Sequence, residues 1–335
     1  MRELKLAVVG SGPAGYTAAL YGARAGLAPT VFTGDRPGGM LAEATRIENY
    51  PAFTASQSGA ELIDTIRQQA EHFGATDEYG RISRIDVAGN TGLPHRLTLA
   101  DSGEIVSAEA IIIATGTRHR SLGLPNERKF LGHGLSFCAA CDAAFHAGKT
   151  VAICGSSERT VEEALLLAMR SATVHLLFHL PSLTLSPALG AALEAAQNIV
   201  LHPGCLIEEL LGDDTLTGLR IRSVATGRRD TLMCNGLFAA AGVTPNTEFL
   251  AGGAIPLDSN GYIDLTSPMP SGIFAAGDCA SPPRHHQAII AAGAGAAAAL
   301  DAIAYLRQKS KQVQKTDGAT PCQKRSFQND QQSHR

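Results

Sequence analysis

The chain has 335 residues, enough for two domains that each bury a core, and its 44% hydrophobic and 18% charged residues describe an ordinary globular protein rather than a disordered or fibrous one. A formal net charge of −3 gives no basis for a nucleic-acid partner. Seven cysteines, an odd number without the spacing of a disulfide framework, point to a reducing, cytoplasmic setting; no signal-peptide pattern opens the chain and no membrane span is expected, the nearest apolar run (288–300) being short and rich in Ala and Gly.

Leu6-Ala7-Val8-Val9 reads as a buried parallel strand, followed at once by Gly10-Ser11-Gly12-Pro13-Ala14-Gly15 and by helical spacing through Ala18, Ala19 and Ala23. A strand, a GxGxxG turn and a helix form a dinucleotide cradle. In it Gly10 permits the turn, Gly12 lets a pyrophosphate reach the backbone, Gly15 lets helix pack on strand, and the helix start offers amide donors. A second strand is expected over 29–33. Asp35 follows it, slightly late for a ribose-binding acid and equally readable as a solvated turn, and Gly38-Gly39-Met40-Leu41 is either a plain turn or a loop against a cofactor. Ala110-Ile111-Ile112-Ile113 is a further buried strand ending in the small-residue turn Ala114-Thr115-Gly116.

Residues 137–142, Phe-Cys-Ala-Ala-Cys-Asp, hold two cysteines three positions apart with a carboxylate directly after the second. That spacing puts both sulfurs on one face of a helical turn, within bonding reach. In a reducing compartment such a pair cycles between dithiol and disulfide. A zinc site would need a second ligand pair at similar spacing, and Cys154, Cys205, Cys234, Cys279 and Cys322 are all solitary, so no metal is expected. Just beyond, Thr150-Val151-Ala152-Ile153-Cys154-Gly155 opens a second strand-loop-helix unit, its helix carried by Val161, Ala164, Leu165 and Ala168 and its next strand spanning 173–178. Residues 237–246 read as the crossing back to the first unit. A final strand, Ile273-Phe274-Ala275-Ala276, delivers Gly277-Asp278, and an Ala/Gly-rich helix is expected over about 287–306, followed by a polar, flexible tail over 308–335.

In order and spacing these motifs, with Glu48-Asn49-Tyr50-Pro51 and Gln287-Ala288, resemble low-molecular-weight thioredoxin reductases over residues 4–306. The resemblance implies an α/β fold of two Rossmann-like three-layer domains, the second inserted into the first: a discontinuous FAD domain (1–116 and 243–307) and an insert (117–242) carrying the cysteine pair. It also implies a homodimer and a thioredoxin-like protein disulfide as substrate. Asp278 would bond the ribityl chain of FAD, Gln287 and Ala288 would approach the flavin ring, and the Gly38-Gly39 loop and Asn49 would line it. Cys141 would face the flavin, Cys138 would attack the substrate disulfide, and Asp142 would exchange protons with the thiols.

The sequence departs from that pattern at the second nucleotide loop. Where NADPH-using members carry GxGxxA this chain has Gly155-Ser156-Ser157-Glu158-Arg159-Thr160, and in place of a His-Arg-Arg cluster after the next strand it has Phe178-His179-Leu180-Pro181. Ser157 and Glu158 put a side chain and a negative charge where a pyrophosphate should meet bare amides, and no arginine fork remains for a 2′-phosphate. Both losses weigh against NADPH and toward another donor, reduced ferredoxin among them. The expected activity is FAD-dependent protein-disulfide reduction; the alternatives are a dithiol oxidase that passes electrons to oxygen and a non-catalytic flavoprotein redox sensor. In the tail, Cys322, Phe327 and His334 are candidates for thiol shuttling or flavin stacking, against a plain solubilising tail.

Overall fold

The computed structural model describes residues 2–53, 55–89, 93–280 and 285–317. The opening apolar run lies in β1 (Arg2–Val9), and its lack of alternation has a simple cause: both faces of the strand are covered. Leu6 and Val8 pack into one core, Ala7 and Val9 into another. After α1 (Pro13–Arg24) come β2 (Thr30–Phe32), the short α2 (Gly39–Ala42) and α3 (Gly59–His72). Helix α3 starts with a full capping box: Ser58 accepts from the Glu61 amide while the Glu61 carboxylate accepts from the Ser58 amide. Strands β3 (Thr76–Glu78), β4 (Ile82–Asp86), β5 (His95–Leu99) and β6 (Ile105–Ile113) complete the order β3-β2-β1-β6-β5-β4. The pairs around β1 are parallel, whereas β5 runs antiparallel to both of its neighbours, β4 and β6.

The chain leaves this sheet through β7 (Thr117–His119), passes α4 (Glu127–Phe130), and builds a second, parallel sheet from β8 (Leu135–Ser136), β9 (Thr150–Cys154), β10 (Thr173–Leu177) and β11 (Ile199–His202). Helices α5 (Ala139–Asp142), α6 (Glu158–Ala168) and α7 (Pro187–Ala195) lie between those strands in sequence. Then β12 (Cys205–Leu211), β13 (Gly218–Ser223) and β14 (Arg229–Met233) form a separate antiparallel sheet. Its apolar residues Leu210 and Leu219 share a core with Ala152, Leu177 and Leu237. Residues 237–239, expected as part of the crossing back, are instead β15 (Leu237–Ala239), a fully buried strand that fits between β9 and β8. The crossing itself is β16 (Val243–Pro245), antiparallel to β7, so both passages of the chain between the two sheets run side by side.

β17 (Ile273–Ala275) joins the first sheet against β6, and the last helix is α8 (Ala288–Asp317). It runs well past 306, so residues 308–317 are helical rather than the flexible tail expected from their composition; Lys309 pairs with Glu109 at 3.4 Å. Residues 288–312 are long and apolar enough by composition to cross a membrane, but Ala298, Ala299, Ala302 and Leu306 are buried in the first unit's core with α1 residues. Cys322, Phe327 and His334 lie outside the described residues.

Candidate active site

Cys138 leaves β8 in extended conformation and is the N-cap residue of α5, which sets Cys141 one turn later. The two cysteines are joined by a disulfide, their Cα atoms 5.3 Å apart. The Cys141 amide donates to Cys138 Sγ at 3.2 Å, so a thiolate released at Cys138 finds a donor already in place. Cys141 meets the other unit: Gln287 Nε2 lies 3.7 Å from its sulfur, and Gln287 Oε1 accepts from Asn49 Nδ2 at 3.1 Å. Asn49, Gln287 and Cys141, three predicted site residues distant in sequence, are therefore brought into one line. Beside them the Arg46 guanidinium lies 4.5 Å from the Phe145 ring centroid.

Two residues that sequence reasoning missed complete the surroundings. The Ser136 hydroxyl donates to Asp142 Oδ2 at 2.6 Å and accepts the Cys138 amide at 3.1 Å. Burial pushes the Asp142 carboxyl above its ordinary range, and the Ser136 hydrogen bond opposes that rise. The His119 ring stacks on Phe137, next to Cys138, with centroids 4.2 Å apart and planes 11° from parallel. Nothing in the local sequence marks His119.

Burial lowers the His119 pKa from 6.5 to about 4; the His286 charge adds to this and Asp278 opposes it. Its stability contribution is therefore present at neutral pH and lost as pH falls through the window from about 6.5 to about 4, where the unfolded chain takes the proton first. Replacing His119 by Gln is expected to flatten the dependence of the melting midpoint on pH across that window, removing about 1–2 kcal/mol of it. A melting series on both proteins at matched ionic strength reads this, and parallel curves would refute it.

The first unit offers the fittings of a flavin dinucleotide. Gly12 N-caps α1 with no side-chain cap and Pro13 follows, leaving the helix's first amides free for an anion. A Cβ on Gly15 would sit 1.9 Å from Gly10 O, so helix and turn pack with no room for a side chain, whereas the nearest atom to a Cβ on Gly12 is 4.0 Å away. Ser11 ties the cradle together, donating to Thr33 O at 2.9 Å and accepting from Gly38 N at 3.0 Å. Gly38 adopts φ +89°, and a Cβ on Gly39 would lie 3.8 Å from Gly12 Cα, so the two glycine loops face each other. Met40 and Leu41 continue in α2, with Met40 Sδ 4.0 Å from Thr117 Oγ1. Ala114 extends the β1–β6 ladder by donating to Val9 O, while Asn246 bonds Thr115 O and Gly116 O. Gly277 and Asp278 form a 3-10 turn after β17, with Gly277 against Ala14 and Asp278 Oδ2 3.1 Å from His286 Nδ1; Ala288 opens α8 directly after Gln287. Asp35 is exposed, 3.8 Å from Arg81 Nε, as a solvated turn residue would be.

The corresponding end of the second unit is built differently. Ser157 caps α6 with its own side chain, accepting from the Thr160 amide at 3.2 Å, and Glu158 accepts from the Ser186 amide ahead of α7. Arg159 turns away to Glu163 at 3.0 Å. A cavity of about 230 Å³ lies beside Gly155, lined by Leu122, Leu124, Leu177, Phe178 and Leu206 among others, and among the described residues no arginine or lysine lines it. Arg220 pairs with Glu209, Arg222 and Arg229 with Glu208, and Arg228 with Asp230, all on the β12–β14 sheet and its β13–β14 turn.

A parallel-sheet unit with a dinucleotide cradle, its partner carrying a Cys-x-x-Cys disulfide turned toward it, defines an oxidoreductase of the flavoprotein disulfide type. The family model for pyridine nucleotide-disulphide oxidoreductases matches residues 4–295. A thioredoxin reductase of Streptomyces coelicolor is 39% identical over 305 residues, covering 89% of this chain and 92% of its own. One from Vibrio cholerae is 37% identical over 324 residues, 93% of this chain and 99% of its own. Among solved structures, thioredoxin reductase from Giardia duodenalis superposes with a TM-score of 0.83 at 34% identity, covering 92% of this chain and all of that one. The chain belongs to the pyridine nucleotide-disulphide oxidoreductase family, in its low-molecular-weight thioredoxin reductase group, and is an enzyme of the oxidoreductase class.

Proposed function

We propose that this protein is an FAD-dependent reductase of a thioredoxin-like protein disulfide, working in a reducing cytoplasm with a donor other than NADPH, reduced ferredoxin being the first candidate. The observation that carries the donor assignment is the α6 N-terminus, where Ser157 and Glu158 occupy the positions that a pyrophosphate would need. The lining of the cavity beside it includes His179 but, among the described residues, no arginine or lysine, which supports the same reading because a 2′-phosphate is gripped by such a partner. The substrate assignment rests on the disulfide, on its contact with Gln287, and on the names of the relatives.

The α1 amides, the Gly38-Gly39 loop and Asp278 would hold FAD, which when bound would supply the electron pair for opening the disulfide. The chain's own residues do the rest. Gln287, fixed by Asn49, holds Cys141 toward the first unit; Cys138, with an amide donor at its sulfur, attacks the substrate disulfide; Cys141 then displaces the substrate from the mixed disulfide. Asp142 takes and returns the thiol proton.

Anaerobic stopped-flow absorbance of the flavoprotein against NADPH, reduced ferredoxin and dithiothreitol tests the donor. Bleaching by ferredoxin but not by NADPH is expected. Rapid bleaching by NADPH would overturn the proposal, reduction by the dithiol alone with reoxidation by oxygen would make the protein a dithiol oxidase, and reduction without turnover would make it a redox sensor.

A further inference from the structure

Ser136 ends β8, two residues before the disulfide, and is 7% exposed. A serine hydroxyl has one proton to give and lone pairs to receive. Here the Cys138 amide occupies the acceptor side at 3.1 Å, which leaves the proton directed at Asp142 Oδ2, 2.6 Å away. β8 is hydrogen-bonded in parallel to β15, so the hydroxyl is mounted on a buried edge strand rather than on a loop. Asp142 closes the same α5 turn that holds both cysteines. The carboxyl is thereby fixed at two points, through its own backbone to Cys141 and through Ser136 to the amide of Cys138.

We propose that Ser136 is a positioning residue for the reaction: it orients the Asp142 carboxyl for proton exchange with the cysteine pair and keeps it available as a base. This rests on the reading of Asp142 as the proton partner of the thiols. In the step concerned a dithiol sulfur bonds to Cys138 as the Cys138–Cys141 bond breaks, the electron pair stays on Cys141, and the proton of the attacking thiol goes to Asp142. The second thiol then releases the cyclic disulfide, so one dithiol is oxidised and the enzyme disulfide is reduced. Removing the hydroxyl takes away a hydrogen bond that counters burial of the carboxyl, so the base is lost at a higher pH.

The test follows anaerobic reduction of the holoenzyme by dithiothreitol, read by flavin absorbance between pH 5 and 9, in the wild type and in S136A, S136T and D142N. The acidic limb of the rate profile is expected to move up by about one to two pH units in S136A, to return in S136T, and to vanish in D142N. A uniform loss of rate at every pH in S136A, or a limb that S136T fails to restore while D142N abolishes it, overturns the role of Ser136. A limb unmoved in D142N overturns the reading of Asp142 beneath it.

Discussion

Exchanging Cys141 for serine will give a folded, flavin-loaded protein that turns over no disulfide and stalls on its substrate. Cys138 keeps its amide donor and can still attack, but the resolving sulfur is gone; a serine hydroxyl is far too weakly acidic to displace a thiolate. Turnover is expected to drop by about 10³-fold or more, with a covalent complex between the variant and a thioredoxin visible on a non-reducing gel. Cys138→Ser is expected to be equally inactive yet to form no such complex. The opposite pattern of trapping would exchange the roles assigned to the two sulfurs.

The second large effect separates the fold from the cofactor. Gly15→Ala places a Cβ 1.9 Å from Gly10 O, a backbone atom that cannot step aside, so α1 must lift off its turn; a loss of roughly 3 kcal/mol or more and of bound flavin is expected. Gly12→Ala has no such conflict, since the nearest atom is 4.0 Å away, and it should melt with the flavin-free wild type. Its methyl group nevertheless stands where the pyrophosphate meets the backbone, so it should purify depleted of FAD. Flavin-to-protein absorbance ratios alongside melting curves check both. A Gly12→Ala protein carrying a full complement of flavin would show that the cradle is not used as described.

The parts of this molecule that were legible in the sequence are those whose physics is local. The β1 run and its glycine turn, the 150–154 strand and the cysteine pair each advertise themselves within ten residues, because a doubly covered strand needs an unbroken apolar run and a tight turn needs glycine. Helix α3 carries equally local signals in the Ser58/Glu61 box and in Leu62, Ile63 and Ile66. The β12–β14 sheet is harder, since charged residues paired across its strands dilute the period-two signal. The end of α8 lies beyond the expected 306 because composition near 308–317 turns cationic before helical structure stops. The contacts of Ser136 with Asp142 and of Gln287 with Cys141 have no local signal, although the family resemblance places Gln287 beside the flavin ring. One depends on a turn folding back over six residues, the other on contact between chain segments 146 positions apart.

The antiparallel pairing of β7 with β16 means that the polypeptide enters and leaves the second unit at almost the same point, with Val243 opposite His119 and Pro245 opposite Thr117. Topologically the insert is a cassette hung from a two-stranded ribbon. A change at its nucleotide loop, such as the capping of α6 by Ser157, has no strand of the first sheet through which to propagate. The α6 end of the cassette can thus vary while the turn at Gly10-Gly15 keeps its form.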